Sequence, residues 1–435
     1  MNKTKAIKSK TLIQYREKDI LLDTFVSGWI PAYQLYNKID KSVWYREEYQ
    51  IGDNLYRPLT PESSYIQSGS LLFPSATHSY DDIHTLIDQI RSYVYKYCDI
   101  SPLFASIVPY YVLMTYIYDT FYEIPYLRLI GDYGSWKSRF LRVVGSICYS
   151  PIIVNGGASV ASIFRMIEMA KWTLVLDEAD FQFSDTTNEI IKLLNNGFAK
   201  WNPILRADGE NFEPKAYDVF WPKIIGGRME FRDKATESRC IVEVMRRTNR
   251  QDIPMNLSEE FAQESKDLMN KLYQFRYDFH GKIPIQEERI AWLEWRLNQI
   301  LNPILSIIKS IGNEKDYKDI IEYFLDRQKE IKEDRKFSIE GMIFALIQDS
   351  ISKGINPLPY SHILVGLKEE DTSSNMNPRK LGSLLKQYDI RTIRRSNGFA
   401  IPTDINREKL EAIYKSFGFE KFEKMDIATV REVFD

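Results

Sequence analysis

The chain has 435 residues, 44% hydrophobic and 27% charged, ordinary proportions for a globular protein of two or three domains. Its 58 basic and 60 acidic side chains leave a formal net charge of -2, which excludes a uniformly basic nucleic-acid coat and confines any such surface to a local patch. Three separated cysteines (Cys98, Cys148 and Cys240) and four scattered histidines exclude a disulfide framework and a zinc site of local spacing, and fit a reduced, cytoplasmic protein.

The opening stretch MNKTKAIKSK is basic but leads into no apolar segment, so no secretory signal is expected. Residues 1–78 are aromatic-rich, with alternating pieces such as SVWYREEYQIG broken by Gly, Asp and Pro, and read as a β-rich region. From Asp81, DDIHTLIDQIRSYVYKYC carries apolar residues at helical spacing behind an aspartate-rich start. The longest apolar run, Leu103–Tyr118, contains Pro109 and falls short of the ~20 residues of a membrane span. It predicts a buried helix or helix pair and no membrane partner.

Residues 79–255 are expected to hold the main domain. Strands are predicted at Tyr126–Ile130, Pro151–Val154, Thr173–Leu176, Lys223–Ile225 and Cys240–Val244, and helices near Lys137–Ser146, Val160–Met169 and Asn188–Asn195. This alternation points to an α/β fold, a parallel sheet covered by helices. Residues 256–332 read as an almost wholly helical lid, and residues 333–435 as a separate small domain with a tail.

Within the main domain, LRLIGDYGSWKSRFL (Leu127–Leu141) resembles a phosphate-binding P-loop, G-x-x-x-x-G-K-[ST] between strand and helix. Gly131, Gly134, Lys137 and Ser138 fall in place, whereas Trp136 stands where the motif has its last glycine. Loop residues Gly131, Asp132, Tyr133, Gly134, Ser135, Trp136, Lys137 and Ser138 are the candidate ATP-binding set. Their amides and the helix N-terminus suit phosphate oxygens, Lys137 the terminal phosphates and Ser138 a magnesium ion. About 40 residues downstream, KWTLVLDEADF ends an apolar strand in two acids. Asp177 is the candidate Mg2+ partner and Glu178 the residue that orients the attacking water.

The stretch PKIIGGRMEFRDKATESRCIVEVM, read with the loop and the acid pair, resembles the AAA+ ATPases. Clamp loaders carry a similar Ser-Arg-Cys, and minichromosome-maintenance helicases a related Ser-Arg-Phe and a loop similar to GDYGSWKS. The resemblance covers about residues 125–310. It implies an ATP hydrolase, ring-forming and hexameric, in which Arg239 reaches the neighbouring subunit's ATP as a trans finger alongside Lys137 and Glu178. It also implies two sensor residues. Arg228 is the candidate after the fourth strand, and Arg296, or Arg289, the candidate in the lid. A bulky Trp136 is expected to permit ATP binding and slow hydrolysis.

Two regions point to DNA. WNPILRADGENFEPKAYDVFWPK reads as a hairpin around Asp-Gly, and replicative AAA+ helicases point such a hairpin into a central channel. Arg206, Lys215 and Lys223 are its candidate basic residues. Near the C-terminus three helices are followed by IRTIRRSNGFAIP, two strands around Ser-Asn-Gly, the plan of a winged-helix domain. Arg379, Lys380 and Lys386 fall on its third helix, and Arg391, Arg394 and Arg395 on the wing, as local positive charge for phosphate. The expected function is an ATP-dependent DNA helicase or translocase linked to replication of a mobile element. The alternatives are an initiator or loader that uses ATP as a switch, and a non-catalytic DNA-binding protein with a relic ATPase core.

Overall fold

The structure, a computed structural model, describes residues 9–11, 14–16, 19–28, 30–60, 62–154, 160–169, 173–177, 185–207, 214–286, 289–370, 374–396 and 398–419. The chain divides into two compact units, Met1–Tyr323 and Phe324–Asp435.

The first unit opens with antiparallel strands Gln14–Arg16, Ile20–Ser27, Ile30–Asn37 and Val43–Arg46, paired in sequence order. Leu22 faces Leu35 across the central pair, and both are fully buried. Tyr36, one residue on, turns to the other face and stacks on Tyr277 with ring centroids 4.3 Å apart. The two central strands are buried on both faces, whereas Val43–Arg46 is largely exposed. The sheet also buries Asp23 and Gln34.

Two helices follow. α1 (Ile83–Tyr97) is capped by Asp82, whose carboxylate accepts from the amides of His84 and Thr85. α2 (Pro102–Ile117) starts behind Ser101 and is buried on nearly every side. It is one continuous helix with Pro109 inside it. All-round apolar packing outweighs the roughly 3 kcal/mol propensity cost of an internal proline.

The central sheet has five parallel strands: β1 (Tyr126–Ile130), β2 (Pro151–Val154), β3 (Thr173–Leu176), β4 (Lys223–Gly227) and β5 (Cys240–Val244). Their spatial order is β5-β1-β4-β3-β2. The strands read as unbroken apolar runs because helices cover both faces. α3 (Lys137–Gly145) follows β1, α4 (Val160–Met169) follows β2, and α5 (Asp185–Asn196) follows β3. β4 therefore lies between β1 and β3, and the crevice at the strands' C-terminal ends gathers the ends of all three. Between α5 and β4 the chain makes an antiparallel ribbon, Ile204–Ala207 with Pro214–Tyr217. α6 (Glu259–Phe279), α7 (Trp295–Ile311) and α8 (Glu314–Phe337) complete the helical segment.

A buried polar network ties these layers. Asp23 accepts from the Tyr149 hydroxyl and lies 3.5 Å from Arg276 Nε on α6. The Arg276 guanidinium lies 4.4 Å from the Tyr149 ring and donates to the Tyr116 carbonyl. Nearby His280 Nε2 sits 3.0 Å from Asp119. Burial is the largest influence on each ionisation: it raises Asp23 above the usual carboxylate range and lowers His280.

The second unit contains α9 (Ile339–Ser352), α10 (Tyr360–Glu370), α11 (Pro378–Gln387) and α12 (Arg407–Phe417). Asn377 caps α11 by accepting from the Lys380 amide at 3.0 Å. Strands Ile393–Arg395 and Gly398–Ile401 pair antiparallel, and Leu358–Pro359 adds to the latter. Phe344, Ile363, Leu381, Leu385, Ile401 and Leu410 form its core. None of the described helices is long and apolar enough to cross a membrane.

Candidate functional site

The loop after β1 is closed by close backbone approach. A Cβ on Gly131 would lie 2.6 Å from Ser135 Oγ and 2.7 Å from the Met245 carbonyl oxygen, so only glycine fits there. Ser135 Oγ donates to the Asp132 carbonyl at 2.7 Å, and Asp132 Oδ1 accepts from the Tyr133 amide. Gly134 has φ 70°, the left-handed conformation that glycine adopts without penalty.

Trp136 also takes the left-handed conformation, with φ 63° and ψ 15°, at the N-cap of α3. This is the position where the motif has glycine, and the tryptophan bears the strain of a backbone that glycine would take freely. Its indole lies 4.5 Å from the Arg139 guanidinium, which donates to the Pro254 and Met255 carbonyls. The side chain is thus held toward the chain that leads into α6. Lys137 Nζ donates to the carbonyls of Gly131 (2.5 Å) and Asp132 (2.8 Å) and to Ser135 Oγ (3.1 Å). The first amides of α3, Lys137 and Ser138 among them, have no intrahelical carbonyl to meet.

Asp177 follows β3 directly, half-buried, its amide bonded to the Val154 carbonyl at 3.0 Å. A Cβ on Gly226 at the end of β4 would lie 2.7 Å from Leu141 of α3 and 3.3 Å from Asp177 Oδ1. The acid and the loop's helix therefore meet beside one point of β4, and the groups these two elements carry (an ammonium, a hydroxyl, amides and a carboxylate) are of the kind that could hold a phosphate chain with magnesium. Glu178 lies outside the described residues.

The two glycines of KIIGGR leave no side chain at the end of β4. A Cβ on Gly227 would lie 2.5 Å from the buried Arg128 guanidinium. The next residue, Arg228, does reach the loop: its guanidinium lies 3.9 Å from the ring of the exposed Tyr133.

Arg239 occupies the opposite end of the sheet. It precedes β5, its carbonyl accepts from the Tyr126 amide, and its Nη1 donates to the Ala235 carbonyl. Arg296 is not brought to the loop. It stands with Arg239 around Phe198, 5.3 Å and 5.6 Å from that ring. Both interact with Glu123, whose carboxyl is raised by burial and lowered by the two arginines. Burial, and then Arg239, lower the Arg296 guanidinium. Arg289 lies over Trp295 at 5.0 Å. Asn195 at the end of α5 donates to Asp233 (2.7 Å) and accepts from Thr236 (3.1 Å), both of the short helical turn that leads into Arg239.

Arg206 and Lys215 are directly opposite in the ribbon register. Arg206 lies over Phe164 at 4.3 Å and 3.4 Å from Glu189, while Lys215 is exposed. The expectation for Lys223 is overturned. It is fully buried, donating to the Val219 (3.0 Å) and Trp221 (2.8 Å) carbonyls under the rings of Tyr126 and Trp221. Burial pushes its ammonium well below its usual value, and no nucleic acid reaches it. In the second unit Arg379, Lys380, Lys386, Arg391, Arg394 and Arg395 are all exposed. Arg391 precedes the strand that carries Arg394 and Arg395.

No known family's model matches this chain, and no curated protein matches it. Among solved structures it is similar to the apo C-terminal region of NrS-1, at 11% identity and a TM-score of 0.39, over 88% of this chain and 96% of that one. It is also similar to the SCCmec type IV Cch active helicase, at 10% identity and a TM-score of 0.40, over 93% and 81%. The ORC1 protein of Aeropyrum pernix in complex with DNA follows at 13% identity and a TM-score of 0.23, over 76% and 96%.

Proposed function

We propose that this chain is an ATP hydrolase of the AAA+ type that acts on DNA, a helicase or translocase working as a ring and serving the replication of a mobile element. The observation that carries this reading is the convergence of the loop helix and Asp177 on Gly226, with Arg239 at the far end of the same sheet. In this reading Gly131–Ser138 bind the triphosphate, and Ser138 and Asp177 hold the magnesium ion, which neutralises phosphate charge. Glu178 orients the attacking water, and Arg239 reaches a neighbour's site to stabilise transition-state charge. Its distance from its own loop supports action in trans.

In this reading Arg206 and the exposed Lys215, opposite one another in the ribbon, meet a DNA backbone, and the second unit, read as a winged helix, would grip duplex through its exposed arginines. A second reading, ATP as a switch, is favoured by the strained Trp136 and by Lys137 being engaged with loop oxygens.

One experiment separates them: ATP turnover by wild type and Glu178→Gln, with and without DNA, across a concentration range. DNA-stimulated turnover that rises with concentration and falls at least 100-fold (on the order of the contribution of a positioned catalytic group) in the variant supports the motor. Nucleotide binding without turnover supports the switch. No nucleotide binding would sink both.

A further inference from the structure

At the root of the ribbon, where the chain enters at Pro203 and leaves at Asp218, is a pocket of about 330 Å³ that no role assigned above uses. Trp201 lines it with 82% of its surface exposed, and its backbone has φ 61°. A tryptophan in the left-handed region is rare and costly, and an exposed indole adds nothing to a core. Its ring lies 5.5 Å from that of Tyr122, itself 56% exposed. Lys200 Nζ stands 5.2 Å from the Tyr122 ring and 5.8 Å from Phe220, and donates to the Asp119 carbonyl at 2.7 Å. The pocket therefore combines the outward face of Trp201 with a positioned ammonium, and the exposed ring of Tyr122 stands beside it.

We propose that this pocket is a stacking site for a base of single-stranded DNA, held against Trp201 and Tyr122. This rests on the reading of the chain as a DNA-acting protein. Every base offers a π-face, so aromatic platforms beside positive charge hold single strands with little sequence preference. Lys200, with Arg206 and Lys215 on the adjoining ribbon, supplies the charge that a phosphate chain needs.

The test measures binding of labelled oligo-dT and of an abasic strand of the same length to the full chain. Sedimentation without DNA is run in parallel, and 5-iodouracil cross-links are mapped. Wild type is expected to prefer oligo-dT about tenfold, the share of one stacked base. Trp201→Ala should abolish that preference, Trp201→Phe keep most of it, and the cross-link fall on Trp201 or Tyr122. Equal binding of oligo-dT by wild type and Trp201→Ala overturns the proposal, as does a changed association state with the preference intact, which would assign this face to a second copy. If the pocket fails while DNA still stimulates turnover, the DNA-acting reading stands. If wild type neither binds DNA nor responds to it, both fall.

Discussion

At Trp136 two demands meet on one residue, a left-handed backbone and a large side chain packed on Arg139. Comparing two truncations isolates the first demand. Trp136→Gly and Trp136→Ala both lose the indole, but only glycine accepts φ 63° freely. The glycine variant should be the more stable by about 1 kcal/mol, read as the difference in denaturation midpoint between the two. It should also turn over ATP faster than wild type if the indole restrains the loop. An alanine variant as stable as the glycine variant would mean that the backbone there is unstrained.

Between elements, the buried pair Asp23 and Arg276 joins the N-terminal sheet to α6, and its two halves are not equivalent. Arginine cannot shed its proton, so Asp23→Ala strands a buried cation, at a cost of about 3–5 kcal/mol. Arg276→Met leaves a carboxyl that burial already raises, and it can take up a proton. The sign follows: a folded-state value above the unfolded one stabilises in acid and is lost as pH rises through it. Arg276→Met should therefore regain stability relative to wild type on acidification, whereas Asp23→Ala should not, as urea titrations across pH would show. None of this pair was legible in the sequence, because Asp23 and Arg276 lie on distant segments with nothing local to link them. The five core strands were legible, since buried parallel strands are continuous apolar runs bounded by turns. So were the loop and Asp177, which sit where those runs end. The pocket at Trp201 was not, since an exposed aromatic is unremarkable until its backbone and neighbours are known. Lys223 misled for the opposite reason: a lysine next to a ribbon looks solvent-facing, and only the carbonyls of Val219 and Trp221 show why it is inside.

Across the first unit, the helix that follows the acid-bearing strand is tied to the turn that leads into Arg239. α5 begins downstream of the acid-bearing strand and ends at Asn195, whose amide grips Asp233 and Thr236 just before Arg239. Asn195 thus ties the end of this helix to the turn behind Arg239 through two hydrogen bonds. If Arg239 serves a neighbour, Asn195→Ala should depress turnover through it, and a double-mutant cycle with Arg239→Ala should be non-additive by about 0.5–3 kcal/mol; additive losses would dissolve the link. The consequence is one of accounting between copies. A protomer with a severed link would keep its own nucleotide chemistry and disable the next one's, so in mixtures with wild type each Asn195→Ala protomer should silence one site, its neighbour's and not its own.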